Sequence, residues 1–166
     1  MKKISAFLLV ILITFLGACA PQPPPEPVLD FTADVFIDGT SFTDGAFDIS
    51  AEVTSTSHET AVITITSPDE LWGLRYKWVD GFEMIYLGLH CKTEKGYLPA
   101  DSFAESIYNV LSSLKGEGVA VSFNGKVAVF SGECPSGKYK VTTDKKGYIQ
   151  NISIEEINLH TEFTYK

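Results

Sequence analysis

Side chains able to do chemistry are sparse, and their spacing leaves them unpaired. His58, His90 and His160 lie far apart, and none has a second ligand at metal-binding spacing. His90 and Cys91 are neighbours, but adjacent strand residues point to opposite faces, so they make no nucleophile–base pair. Asp69-Glu70 sits where a helix cap belongs, and Glu155-Glu156 reads as a solvated turn. Asp38, Asp44 and Asp48 lack the alternate spacing and central glycine of a calcium loop. There is no His-Glu-x-x-His, Cys-x-x-Cys, Gly-x-Ser-x-Gly or phosphate-binding glycine loop. Asn151-Ile152-Ser153 matches a glycosylation sequon, here inside a strand-like stretch. The expectation is a protein that is not an enzyme and uses no metal or cofactor.

One cysteine is placed by its context. Lys2 and Lys3 precede an apolar run from Ile4 to Leu16, and Leu16-Gly17-Ala18-Cys19 follows. A positive start, an apolar middle and small residues before a cut are the layout of a secretory leader. The 13-residue run falls short of the roughly 20 residues a spanning helix needs, which weighs against an uncleaved membrane helix. A peptidase cutting here needs small residues before the cut, and the Cys19 thiol is the nucleophile that takes a thioether-linked diacylglycerol. The stretch resembles the lipobox of bacterial lipoproteins. That resemblance implies removal of residues 1–18, acylation (palmitate or similar) at Cys19, and attachment to the extracytoplasmic face of the cell membrane. Acyl chains contribute about 0.8 kcal/mol per buried CH₂, so two or three of them anchor stably.

Charge and the other cysteines follow from this. Loss of Lys2 and Lys3 takes the formal charge from −8 to −10, and an acidic surface makes nucleic acid an unfavourable partner. Cys91 and Cys134 remain as an even pair in a compartment that permits disulfides. A bridge between them would contribute about 3–4 kcal/mol in the chain-entropy model. The alternative is two separate, partly buried thiols.

The elements that must position these groups are mostly strands. Residues 19–28 hold Pro21-Gln22-Pro23-Pro24-Pro25-Glu26-Pro27, a polyproline-type tether rising about 3.1 Å per residue. Residues 29–166 read as one domain. Phe31, Ala33, Val35 and Ile37 alternate with Thr32, Asp34 and Asp38 in a strand pattern, and Phe47 to Val53 and Ala61 to Ile65 alternate again. Ser67-Pro68-Asp69-Glu70 predicts one capped helical turn ended by Gly73, with Trp72 at a rim. Leu74–Val79 and Phe82–Cys91 are predicted strands joined at Asp80-Gly81, with Gly88 a bulge inside the second. Ser102 and Glu105 cap the one clear helix, whose apolar stripe is Phe103, Ile107, Val110, Leu111 and Leu114. Further strands follow, turning at Asn124-Gly125 and Asp144 to Gly147.

The prediction is a mostly β (α+β) fold: about ten antiparallel strands in a strongly curved sheet or half-barrel wrapping one amphipathic helix. A closed barrel with the helix outside is the alternative. Thr66-Ser67-Pro68, Leu71, Gly73-Leu74, Tyr76, Asp80-Gly81, Tyr86-Leu87-Gly88-Leu89, Leu98-Pro99 and Ser102 together resemble small lipoproteins of clostridia-like Gram-positive bacteria. These are similar in strand order to the LolA/LolB/LppX-like half-barrel superfamily. That resemblance implies an unclosed barrel with a helix in its concave face, and lipid or acyl chains as ligands in several members. Leu71, Trp72, Met84, Phe103, Ile107 and Tyr108 are the candidate lining of such a cavity. Two functions remain open: binding of a lipid or other apolar ligand, and an interaction lipoprotein of the cell envelope whose core is filled.

Overall fold

The computed structural model describes residues 23–38 and 48–166. The leader, Cys19 and the segment carrying Gly39, Asp44 and Phe47 lie outside them. The described chain forms β1 (Phe31–Ile37), β2 (Ile49–Ser57), β3 (Thr60–Ser67), β4 (Arg75–Trp78), β5 (Phe82–Tyr86) and β6 (Leu89–Thr93). Helix α1 (Phe103–Ser113) follows, then β7 (Ala120–Phe123), β8 (Val127–Cys134), β9 (Gly137–Asp144), β10 (Ile149–Ile154) and β11 (Leu159–Tyr165). All eleven strands lie in one antiparallel sheet, ordered β6-β5-β4-β3-β2-β1-β11-β10-β9-β8-β7. Strands adjacent in sequence pair, with one exception at each level. β1 pairs with β11, and the edges β6 and β7 do not pair with each other but are joined through α1. The sheet is therefore open.

Local chemistry explains the elements. In β1, Phe31, Ala33, Val35 and Ile37 are buried and the residues between them are exposed, the signature of a sheet with one wet face. Ser102 Oγ accepts the Glu105 N–H at 3.4 Å, and Ser106 Oγ donates to Ala100 O at 3.0 Å, which fixes the start of α1. The Glu105 side chain is buried instead of reaching back to complete a capping box. At the β7–β8 hairpin, Asn124 Oδ1 accepts the N–H groups of Lys126 and Val127.

Two expectations need correction. Phe82–Cys91 is not one strand with a bulge but the hairpin β5–β6, turning at Leu87-Gly88 with φ of 49° and 82°. Leucine rarely takes this left-handed conformation, which hid the turn and made the count eleven rather than about ten. Ser67 does not cap a helical turn: it ends β3, and the 3₁₀ turn Asp69–Leu71 has Pro68 at its cap with no side-chain hydrogen bond.

The burial pattern requires curvature. Eleven strands about 4.8 Å apart would make a flat sheet roughly 50 Å wide, whereas α1 is about 16 Å long and about 10 Å across. Yet inward residues from nearly every strand join one core with α1. Ala104, Ser106, Ile107, Tyr108, Val110 and Leu111 are all buried, so α1 is covered on more than its apolar stripe. Only a sheet bent around the helix achieves both. The antiparallel order also defines two ends. The lower end holds the start of β1 and the turns after β2, β4, β7 and β9. Val28 N–H donates to Gly147 O at 2.9 Å, so the proline segment arrives at this lower end. The upper end holds the 3₁₀ turn and Leu87-Gly88.

Candidate functional site: a half-covered apolar strip on β4–β6

Register sorts the inward side chains of β4–β6 into rows. The lower row runs Ala61, Trp78, Phe82, Thr93 and the middle row Ile63, Tyr76, Met84, Cys91. By parity Tyr86 and Leu89, paired with each other, head the same face at the upper end. The lower row is sealed. Trp78 and Phe82 are fully buried, and the Trp78 ring stacks on Tyr108 with centroids 4.8 Å apart and planes 7° apart. Above it the cover thins. Leu71, Leu74, Tyr76 and Met84 are only partly buried against the core, and Leu89 is 75% exposed. Phe103 stands edge-on to Tyr76 at 5.8 Å. Tyr86 donates its hydroxyl to Glu70 O, tying the strip to the 3₁₀ turn.

The six candidate lining residues divide accordingly. Met84 and Phe103 both border Tyr76 in the strip, through register and ring contact, and Leu71 is half-buried at its upper end. Ile107 and Tyr108 are buried behind it in the packed seam between helix and sheet. Trp72 stands apart from this core, 66% exposed. Leu74, Tyr76, Tyr86 and Leu89 belong to the strip and are not among the six candidate lining residues. Their signal was present in the period-two spacing of Leu74, Tyr76, Trp78 and of Phe82, Met84, Tyr86.

Clefts of about 330, 430 and 160 Å³ bounded by described residues lie away from all six. The first is bordered by Lys138, Lys140, Glu155 and Glu156; the second lies at the lower end between Asp30, Asp144, Tyr148 and Tyr165. Glu155 is in an exposed ion pair with Lys140 at 2.6 Å, and Glu156 accepts the Lys138 N–H at 3.1 Å, as a solvated turn should.

One ionisable group lies under the strip. Glu105 is 4% exposed, and its Oε2 makes no hydrogen bond with a described residue. Burial pushes its carboxyl above the usual range, an effect partly offset by the nearby Trp78 indole. Burial also raises the Tyr76 hydroxyl and the Cys134 thiol.

Cys91 and Cys134 are free thiols, not a bridge. Cys91 lies on the edge strand β6, whereas Cys134 ends β8 near the opposite edge and donates to Gly137 O at 3.5 Å within its own turn. The histidines stay dispersed: His90 pairs with Glu83 at 3.2 Å, His58 with Glu59 at 3.7 Å. No group of three or more metal-ligating side chains occurs among the described residues, and no helix there is long and apolar enough to cross a membrane.

No protein-family model matches the chain, and no curated protein matches it. Among solved structures, a LolA superfamily protein from Nitrosomonas europaea is similar at 11% identity and a TM-score of 0.39. The match covers 81% of this chain and 69% of that one.

Proposed function

We propose that this chain is a lipoprotein anchored through Cys19 to the extracytoplasmic face of the cell membrane. Its domain, residues 29–166, is a half-barrel that holds one acyl chain or a similar apolar ligand along the concave side of β4–β6. One observation carries the ligand reading: the inward rows are sealed on β1, β2 and β10, whereas the β4–β6 wing is half-covered where Leu71, Leu74, Tyr76, Met84 and Phe103 meet. An apolar strip left partly wet is costly unless something covers it. The sealed Trp78–Tyr108 seam sets the depth such a ligand reaches.

The test is native mass spectrometry of the full chain purified from its own host, with uptake of a fluorescent fatty acid as a second measurement. Co-purifying lipid and saturable uptake are expected. Met84→Lys should lose most of the uptake while shifting the urea midpoint little. Neither lipid nor uptake in the natural chain would overturn the ligand reading. The packed seam would then favour the second reading, an envelope interaction protein with a filled core. The anchor is checked separately: Cys19→Ser should leave the membrane fraction or remain unprocessed.

A further inference from the structure

The two free edges of the sheet are built in opposite ways. β6 carries His90 and Lys92 on its outer face, and behind them Glu83 pairs with His90 at 3.2 Å and Lys77 at 3.9 Å. Charge along an edge deters the addition of another strand. β7, Ala-Val-Ser-Phe, has no charge and no proline. Ala120, Val121 and Ser122 are exposed, Val121 at 42%. The β8 residues behind the outer face of β7, Val129 and Ser131, are uncharged as well.

Register decides which backbone groups of β7 are available. Asn124 N–H donates to Val127 O at 3.2 Å, so Asn124 and Val127 form a hydrogen-bonded pair. Such pairs alternate along an antiparallel ladder. Ser122 and Ala120 therefore direct their N–H and C=O toward β8, to Val129 and Ser131. Val121 and Phe123 direct theirs to the open edge, where the sheet order places no further strand among the described residues.

We infer that this edge takes the β7 strand of a second copy of the chain, antiparallel about a two-fold axis through Ser122. In that register Val121 lies opposite Phe123 of the second copy on the concave side. Ser122 meets Ser122, and Ala120 meets Asn124, on the outer side. Every pair is apolar or small and uncharged. The same operation on β6, about Cys91, would set Lys92 opposite His90, with no carboxylate on the strand to pair the buried ladder's ammonium group. Self-pairing of β7 is thus complementary where self-pairing of β6 is not. Two strands this short bury less than the roughly 1,200 Å² of a standard interface, so the contact is weak in dilute solution. It strengthens wherever copies are held close together.

Cysteine cross-linking in the full chain tests this, in a Cys91→Ser, Cys134→Ser background. In the inferred register Ser122 faces its counterpart at a non-hydrogen-bonded position, about 4.5 Å between Cα atoms, within disulfide range. Mild oxidation with diamide, which accepts the two electrons and two protons of the thiols, should link Ser122→Cys into a dimer. Ser153→Cys, on the outer face of β10, should stay monomeric. Adding Val121→Pro removes a donor that β8 does not use and should abolish the cross-link. Should that variant melt early, Val121→Lys gives the same loss by charge. Equal cross-linking at both cysteines, a Ser122→Cys monomer, or a link to a different protein would each overturn the inference.

Discussion

The body of the sheet and its β4–β6 wing alternate in the same way yet present different surfaces. On β1, β10 and β11 the inward residues Val35, Ile37, Ile152, Ile154, Leu159 and Phe163 are buried almost completely. On β4–β6 only Trp78 and Phe82 reach that state. Alternation decides which face a side chain takes; its place relative to α1 decides whether that face is covered. The body fills its short distances mostly with branched aliphatics, whereas the wing places Tyr76 and Met84, longer side chains, where they partly face water.

Four substitutions probe that contrast. Trp78→Ala removes the ring on which the boundary between sealed and open rows rests, and should cost about 4 kcal/mol in urea unfolding, the usual range for a buried tryptophan. Next, Ile152→Ala in the body should cost about 3 kcal/mol and Met84→Ala in the wing about 1 kcal/mol or less. Equal losses would erase the distinction between the two regions. The smallest effect belongs to Glu105. Because burial raises its folded-state pKa, its stabilising contribution is complete below the unfolded carboxyl value and is lost as pH rises through the folded one. Glu105→Gln should therefore be the more stable by about 1 kcal/mol at pH 7, with the gain shrinking toward pH 4. Thermal melts at the two pH values read the sign directly.

How far the sequence discloses this structure varies by residue. β1, the Ser102 cap and the Asp80-Gly81 turn follow from period and local chemistry, because each depends on neighbours a few positions away. The Leu87-Gly88 turn does not, since its first residue is one that local preference argues against. Among the candidate lining residues, period two marks Met84 as inward-facing but says nothing of how much helix lies above it. Trp72 illustrates the limit: an aromatic beside a run of core residues reads as lining, yet the 3₁₀ turn carries it outward. The choice between a Cys91–Cys134 bridge and two separate thiols stays open in the sequence for a related reason. An even count gives no distance, and strand order sets Cys91 and Cys134 near opposite edges.

Pairing of the two chain ends also shapes how the molecule is made. Every ladder except β1–β11 links strands that follow one another, so two runs of hairpins, β1–β6 and β7–β11, need only short loops to close. The β1–β11 ladder, where Ala33 meets Tyr165 and Ile37 meets Thr161, closes a loop of most of the domain. Its loop-closure entropy must be met before its contacts are gained, which makes it the most non-local pairing in the sheet. Were β11 joined to β1 there and the chain opened at α1, the same eleven strands would read as a plain meander with every ladder local.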